Sequence, residues 1–249
     1  MKAQETFKRT EKKYLLERHQ YEKLVKELEK YMNKDKYFES NIMSLYYDTP
    51  DYRLIRTSME KPVFKEKIRL RSYGVPDADS TVFLEYKRKY KGVVYKRRTF
   101  MPLSEVDTFT SGGQTEPNNP QIEKELRYAF SFYPELKPRM LITYHRYSYY
   151  GKEDKDLRVT FDDEVTYRGY DLDLSCGVYG RTLLKSGQRL MEIKIPGAMP
   201  LWLSRLLGEL EIYPASFSKY GRAYTTLMLE GKLNGGDQKD GTRPFLQAI

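Results

Sequence analysis

Basic residues alternate with apolar residues in the segment EKIRLRSYG. Lys67, Arg69 and Arg71 occupy every second position, and Ile68 and Leu70 stand between them. Because successive side chains of a β-strand project to opposite faces, the three cations share one face and the apolar residues share the other. Lysine and arginine side chains bind carboxylates and phosphates. The spacing therefore predicts a strand with one anion-binding face.

Two later segments repeat this alternation. In LRVTFD, Arg158, Thr160 and Asp162 share a face, and in RLMEIKI, Glu192 and Lys194 do so. On a one-sided antiparallel sheet, a charged face is ordinarily the face in water. The alternation is repeated, and the predicted helices need apolar strand faces to pack on. Together these features favour charged faces that either line the inside of a barrel or form one side of a broad exposed sheet.

A Glu-x-Lys spacing occurs on three predicted strands, at Glu11 and Lys13, Glu85 and Lys87, and Glu192 and Lys194. On one strand face, such a pair offers a carboxylate for a divalent cation beside an ammonium group for a phosphate oxygen. Phosphoryl transfer requires both groups. The alternative is a surface salt bridge, which is common and weak. The same Glu-x-Lys spacing also occurs outside the predicted strands, starting at Glu135, Glu153 and Glu230.

The composition restricts the partner and the metal. The 249 residues include 44 Lys and Arg against 35 Asp and Glu, a net charge of +9, which favours an anionic partner such as nucleic acid, a membrane surface or a small polyanion. Cys176 is the only cysteine, and His19 and His145 are the only histidines, too few for a typical zinc site. A metal would therefore be a hard cation, Mg²⁺ or Mn²⁺, held by carboxylates.

Several classes of protein are not expected. The N-terminal sequence lacks the apolar run of a signal peptide, and no stretch approaches the roughly 20 apolar residues of a membrane span. The single cysteine is typical of a reducing compartment. These features predict a cytoplasmic protein. A P-loop nucleotide site is not expected either, because the sequence has no Walker-type glycine loop.

The pattern of elements predicts an antiparallel α+β architecture. We expect one domain over residues 1–231 and a flexible tail over residues 232–249, because no linker divides the chain and the tail is rich in Gly and polar residues. Strands are predicted over residues 7–16, 44–48, 66–73, 82–90, 94–101, 140–149, 156–162 and 188–195. Helices are predicted over residues 17–32, 51–59, 120–133, 200–212 and 217–229, and a loop over residues 110–120.

The last predicted helix begins at the segment FSKY. Its backbone N–H groups and Lys219 offer a phosphate-binding site. Ser218 as an ordinary N-cap explains the same residues equally well.

The ordered motifs FKRTEKKY, LYYDTPDYRLIR, IRLRSYG, FLEYKRKYKG, TYHRYSY, LRVTFD, MEIKI and FSKY resemble the catalytic domain of the vacuolar transporter chaperone (VTC) complex. That domain is a polyphosphate polymerase of the triphosphate tunnel metalloenzyme, or CYTH-like, group. The resemblance extends from Phe7 to about Leu229. It implies a closed antiparallel eight-stranded β-barrel, with helices packed outside, whose tunnel binds ATP and polyphosphate.

The resemblance also implies roles for individual residues. Those assigned to catalysis are Arg69, Arg71, Lys87, Arg146 and Lys194. Those assigned to substrate binding are Arg9, Lys13, Arg56, Lys96, Arg98, Tyr144, Arg158, Ser218 and Lys219. Glu192 matches the metal-binding glutamate of the family, and the Glu-x-Lys spacing adds Glu85 and Glu11 as candidate ligands of Mn²⁺ or Mg²⁺.

The sequence departs from the eukaryotic pattern at Ser216 and in the transmembrane segments, and it differs from the triphosphatase branch at Arg9. Ser216 stands where the eukaryotic pattern has a lysine, so one polyphosphate contact is expected to be lost. Arg9 replaces the first glutamate of the Glu-x-Glu-x-Lys motif of the triphosphatase branch, which favours the polymerase branch. The transmembrane segments of the eukaryotic protein have no counterpart, so coupling to a membrane would need a separate membrane-protein partner.

The resulting hypothesis is a polyphosphate polymerase that moves the γ-phosphoryl group of ATP onto a growing polyphosphate chain. Two alternatives remain: a tunnel triphosphatase, and a polyanion-binding module without turnover. Nucleic acid is not an expected partner.

Overall fold

The computed structural model describes residues 10–115 and 118–231. Arg9, the first residues of the predicted strand over 7–16, and the predicted tail over residues 232–249 lie outside the described residues. No helix in the described part of the chain is long and apolar enough to cross a membrane.

Within the described residues, nine strands form one antiparallel sheet. They are β1 (Thr10–Leu16), β2 (Met32–Asp48), β3 (Phe64–Tyr73), β4 (Thr81–Tyr90), β5 (Val93–Pro102), β6 (Lys137–Gly151), β7 (Arg158–Arg168), β8 (Arg181–Thr182) and β9 (Arg189–Ile195). Eight of them follow the order β1-β9-β7-β6-β2-β3-β4-β5, and the two-residue β8 pairs only with β7. The α+β class is confirmed.

The expected closure into a barrel is not confirmed. Within residues 10–115 and 118–231, β1 and β5 stand at the two ends of the hydrogen-bonded order and share no ladder. The segment before the last helix pairs with β1 instead: Ala215 N–H donates to the Lys13 carbonyl at 2.7 Å, and Tyr14 forms a bridge with Pro214. A strand edge that is already paired cannot accept another strand at the same positions.

In the part of the chain that the structure describes, six α-helices accompany the sheet: α1 (Arg18–Leu28), α2 (Arg53–Met59), α3 (Val106–Thr110), α4 (Pro120–Phe132), α5 (Leu201–Glu209) and α6 (Lys219–Leu229). Their starts follow local chemistry. The Gln20 side chain accepts from the backbone N–H of Glu17 before α1, and the Asn119 side chain caps α4, whose first residue is a proline.

Four helices cover one face of the sheet, which we call the outer face. α3 and α4 pack there on apolar residues of β3, β4 and β5, and α1 and α5 pack on those of β1, β7 and β9. The opposite face, with Lys67, Arg69 and Arg71, is the inner face. Here the expectation that all helices pack outside is wrong. α2 and α6 cover one end of the inner face, where Tyr220 stacks on Tyr46 at 4.5 Å between ring centroids.

Asp48 joins these two inner helices to the sheet. Its buried carboxylate accepts from the backbone N–H groups of Leu54 and Ile55, at 2.8 and 3.1 Å, and from the Tyr220 hydroxyl at 2.8 Å. One side chain thereby fixes the start of α2 and the first turn of α6. The inner face is thus closed at one end by helices and remains available for polar chemistry along the rest of its length.

Candidate active site

Glu85 lies at the centre of a group of cations on the inner face. Its carboxylate is 2.7 Å from Arg69, 2.8 Å from Lys96, 3.3 Å from Arg98 and 3.8 Å from Arg71. The register explains this meeting, because β4 places Glu85 opposite Arg69 of β3 on one side and opposite Arg98 of β5 on the other. We call these five residues the Glu85 cluster.

The charges of the Glu85 cluster outweigh the cost of burying its carboxylate. Glu85 is only 2% exposed, and burial by itself raises the pKa of its carboxyl. Arg69, Arg71 and Lys96 act in the opposite direction and hold that pKa well below its usual range. Glu85 is therefore ionised at neutral pH and keeps the basic groups in place, while four cations share a single carboxylate.

A second group contains two carboxylates, from β7 and β9. Arg146 donates to both oxygens of Asp162, at 2.5 and 2.7 Å, and lies 3.4 Å from Glu192. Lys219 lies 2.5 Å from Asp162 and 3.5 Å from Glu192, and Lys13 lies 3.2 Å from Glu192. We call these five residues the Glu192 cluster. Three cations here share two carboxylates.

The Glu192 cluster is more deeply enclosed than the Glu85 cluster. Burial opposes the charged form of Glu192, but Lys219, Lys13 and Arg146 hold the pKa of its carboxyl well below the usual range. Burial likewise opposes the charge on Lys219, and Asp162 and Glu192 nevertheless raise the pKa of its ammonium group. Glu192 and Lys219 are therefore both in their charged forms at neutral pH.

Tyr144 lies beside the Glu192 cluster. Its ring centroid is 4.4 Å from Lys219 Nζ and 5.2 Å from the Arg146 guanidinium carbon. The Tyr46 hydroxyl accepts from Arg69 at 3.2 Å, and the Tyr46 ring stacks on Tyr220 of α6. Cations beside aromatic rings are stabilised by the ring electrons. The tyrosines therefore provide a wall that supports the cations without neutralising them.

Ser218 fulfils the N-cap role proposed for it. Its hydroxyl accepts from the backbone N–H of Gly221 at 3.2 Å. The same oxygen accepts from Lys67 Nζ of β3, also at 3.2 Å. Lys67 thus meets the start of α6, where backbone N–H groups and the helix dipole favour an anion.

Two further predicted residues, Lys87 and Lys194, lie on the inner face. Lys87 stands opposite Lys67 and Lys96 in the ladders, and Lys194 stands opposite Glu11 and Arg158. The pKa of Lys194 is lowered by burial and by Arg146, and Lys96 of β5 contributes to the same effect. Lys96 of β5 therefore lies close enough to Lys194 of β9 to oppose its charge.

Three predicted residues lie at the periphery instead. Arg56 pairs with Asp51 at 3.1 Å on the surface of α2, and Arg158 pairs with Asp35 at 3.0 Å. Glu11 lies on the edge strand β1, 3.7 Å from Lys13.

Sequence reasoning did not select Lys67 or Asp162 as site residues. Both lie on the charged strand faces that the alternation identifies, so a signal was available. Asp162 carries the strongest contacts of the Glu192 cluster, and only the pairing of β7 with β6 brings it to Arg146. His145, in contrast, contacts Glu39 at 3.0 Å and Asp163 at 3.6 Å, away from both clusters.

Residues 8–228 match the sequence model of the VTC domain. This chain belongs to the VTC domain family. A search of curated proteins finds no match.

Solved structures resemble this VTC domain at low sequence identity. A proposed adenylate cyclase from Bacillus halodurans has a TM-score of 0.51 and 12% identity, over 84% of this chain and 92% of that one. A proposed adenylyl cyclase from Hippeastrum, described as having a dominant triphosphatase activity, has a TM-score of 0.47 and 16% identity, over 91% and 99% of the two chains.

The carboxylates of this VTC domain fit a divalent cation that also binds phosphate. The described residues contain no group of three or more Asp, Glu, His or Cys side chains arranged around a metal position. Mg²⁺ is commonly held by one or two carboxylates together with substrate phosphates. Asp162 and Glu192 supply two carboxylates close to each other, because both lie within 3.5 Å of the same Lys219 ammonium.

Buried polar donors beside the clusters lack hydrogen bonds within the described residues. They include the Thr160 hydroxyl, which lies opposite Glu192 in the ladder, and Arg71 Nε and Arg98 Nε in the Glu85 cluster. Buried polar atoms are nearly always paired, so such atoms indicate a partner that is not part of the chain. An anion with several oxygens satisfies donors of this kind.

Proposed function

We propose that this VTC domain is a metal-dependent polyphosphate polymerase that transfers the γ-phosphoryl group of ATP to the end of a polyphosphate chain. The observation that carries the proposal is that both basic clusters lie on the inner face of the sheet. The positive charge of both clusters exceeds their negative charge, and anionic phosphates are the partner that such a surface favours.

The chemistry requires positioning and charge stabilisation more than proton transfer. The terminal phosphate oxygen of the acceptor is already anionic, so it attacks without a protein base. In the transition state, charge spreads over the oxygens of the transferred group. Arg69, Arg71 and Arg146 are held in place by carboxylates before substrate arrives, so they stabilise that charge without reorganisation.

Glu192 and Asp162 are the proposed holders of Mg²⁺ or Mn²⁺. When bound, the metal supplies neutralisation of charge on the phosphate oxygens. Glu11 remains a predicted ligand at the edge of the sheet. Arg69 and Lys96 contact the two oxygens of Glu85 at 2.7 and 2.8 Å, whereas the cations around Glu192 lie at 3.2 to 3.5 Å. We therefore assign to Glu85 the task of holding arginines rather than metal.

Cations beyond the two clusters favour a long phosphate chain over a single triphosphate. Lys67, Lys87 and Lys194 continue the basic surface on both sides of the clusters. Each additional charge-assisted contact contributes roughly 1.5–3 kcal/mol when it is well formed. An enzyme that only hydrolyses a triphosphate has less need of such an extended series, which favours the polymerase over the triphosphatase.

The test is incubation of the purified protein with ATP and either Mg²⁺ or Mn²⁺, followed by separate detection of polyphosphate and orthophosphate. We expect ADP and polyphosphate, with a lag that polyphosphate primer shortens. Stoichiometric orthophosphate without polymer would instead identify a triphosphatase. Binding of triphosphate without turnover under both metals would identify a polyanion-binding module.

A further inference from the structure

The inner face of β3 changes in chemistry along its length. Lys67 contacts Ser218 at the start of α6, Arg69 and Arg71 belong to the Glu85 cluster, and Tyr73 ends the strand with 53% of its surface exposed. Alternate residues of a strand are about 6.8 Å apart. The face therefore runs from a helix-capped cationic end, through an arginine pair, to an exposed aromatic ring.

Two phenylalanines join Tyr73 at this end of the inner face. Phe83 stands opposite Arg71 on β3 and opposite Phe100 on β5. The Tyr73 and Phe83 rings meet edge to face at 5.7 Å, and Phe100 is 49% exposed. We call Tyr73, Phe83 and Phe100 the aromatic rim.

Arg98 connects the aromatic rim to the Glu85 cluster. Its guanidinium carbon lies 3.8 Å from the Phe83 ring centroid, and its Nε lies 3.3 Å from Glu85. It also donates to the Tyr73 hydroxyl at 3.3 Å. One face of Phe83 is thus covered by Arg98, and Phe100 presents the more open ring.

We propose that the aromatic rim is the nucleobase subsite of a nucleoside triphosphate donor, with Phe100 as its principal stacking ring. Exposed rings and arginine planes are the surfaces on which bases stack. The triphosphate tail of the same molecule then reaches Arg71, Arg69 and the start of α6, in the order that β3 provides. This inference rests on the proposed function in that it assumes a nucleotide donor.

The rim selects by stacking rather than by reading the edge of the base. Stacking on a π-face tolerates every base, because all bases have such a face. We therefore expect ATP and GTP to bind alike and pyrimidine nucleotides more weakly, since their smaller rings overlap less with Phe100. Tripolyphosphate, which has no base, should bind through the cations alone.

The test compares two probes by titration calorimetry in the presence of Mg²⁺: the non-hydrolysable analogue adenosine 5′-(β,γ-imido)triphosphate, and tripolyphosphate. Phe100→Ala should weaken the analogue about tenfold, within the range that loss of one stacked base gives, and leave tripolyphosphate within twofold. Phe100→Leu keeps the apolar volume without the ring and should lose most of the same affinity. Phe83→Ala should act in the same direction.

Tyr95→Ala is the matched control. Tyr95 lies on the same strand, β5, on the outer face, and is 45% exposed. It should bind both probes as the wild type does. Equal loss of analogue and tripolyphosphate in Phe100→Leu, or no loss of either, would overturn the proposal. So would a single-stranded oligonucleotide whose binding depends on Phe100 while analogue binding does not.

The result is separable from the fate of the proposed function. Analogue binding is measured without turnover, so a rim-dependent affinity stands even if no polyphosphate is made. Conversely, polyphosphate synthesis by Phe100→Leu with an unchanged KM for ATP would leave the polymerase intact and would refute the nucleobase subsite.

Discussion

The Glu85 cluster and the Glu192 cluster lie on the same face of one sheet but combine charges in different proportions. Glu85 alone faces four cations, and two of these, Lys96 and Arg98, keep about half and a third of their side chains exposed. In the Glu192 cluster, two carboxylates face three cations, and Asp162 is fully buried. The first cluster is open and has surplus positive charge, and the second is enclosed and nearly balanced.

This difference suits the two clusters to different tasks, although the sequence motifs of both are alike. An open group of cations with surplus positive charge attracts an anion. An enclosed, nearly balanced set keeps its geometry because each charge depends on its partners. Accordingly, we expect the Glu85 cluster to determine phosphate affinity and the Glu192 cluster to determine both stability and metal-dependent turnover.

The largest expected effect is the loss of unfolding free energy when the Asp162 charge is removed. Asp162→Asn leaves Arg146 and Lys219 buried with only Glu192 to share, and breaking buried ion pairs of this kind costs about 3–5 kcal/mol of unfolding free energy. Chemical denaturation measures this free energy of unfolding. Asp35→Asn, which breaks the exposed pair with Arg158, should cost below about 1 kcal/mol. Equal losses in the two variants would show that burial does not distinguish the clusters.

Much of the fold follows from alternation in the sequence. The strand face with Lys67, Arg69 and Arg71 is indeed the inner face, and the last helix starts at the predicted cap Ser218. The hairpin of β4 and β5 forms around the Lys91-Gly92 turn, where Gly92 has φ +84°, a conformation that suits glycine. These features are local, so short-range propensity is sufficient to predict them.

Features that depend on distant partners were missed. The first helix was predicted to reach residue 32, but it ends at Leu28 because Met32 pairs with Gly151 as the start of β2. α3 and β8 are too short to show a period. No pattern indicated that α6 packs inside, because an apolar helix face does not reveal which side of a sheet it will cover.

The next largest effect concerns the metal. Glu192→Gln should reduce metal-dependent turnover about 100-fold or more, since a neutral amide is a poor ligand for a hard cation. The loss of unfolding free energy should be only about 1–2 kcal/mol, because Arg146 and Lys219 retain Asp162. Turnover is measured against Mn²⁺ concentration.

Glu85→Gln is the control for this metal prediction. It should bind tripolyphosphate at least as tightly as the wild type, because it removes a negative charge from the Glu85 cluster. Its dependence on Mn²⁺ concentration should be unchanged. A shift of the Mn²⁺ requirement in Glu85→Gln, with none in Glu192→Gln, would place the metal in the other cluster.

A smaller effect should appear as a pH dependence of phosphate binding. Burial is the main cause that lowers the pKa of Lys67 to about 8; Tyr46 acts against this shift, and the charges of Lys13, Lys87 and Lys65 add to it. Lys67 is therefore charged below about pH 8 and loses its proton above it. Tripolyphosphate affinity should fall as pH rises through 8, by roughly 1.5–3 kcal/mol if one charged contact is lost.

Two variants isolate Lys67 in this experiment. Lys67→Arg stays charged throughout and should bind at pH 9 as it does at pH 7, whereas Lys67→Met should bind weakly at both. Binding to the wild type near pH 8 should take up a proton, which calorimetry in buffers of different ionisation enthalpy detects. An unchanged pH dependence in Lys67→Arg would assign it to another group.

The smallest effect is expected at the peripheral cations. Arg158 is matched by the family resemblance to a polyphosphate contact, yet its guanidinium pairs with Asp35 and its side chain is 54% exposed. Exposed pairs of this kind contribute about 0–1 kcal/mol and are screened by salt. Arg158→Ala should therefore weaken binding of long polyphosphate less than about fivefold at low salt, and not measurably near 1 M salt. Arg69→Ala should bind long polyphosphate more weakly than the wild type under both conditions, because its partner Glu85 is buried. Should Arg158→Ala prove as damaging as Arg69→Ala at high salt, the phosphate path would have to extend past the Glu192 cluster to the edge of β7, and the division into two clusters would no longer describe the binding surface.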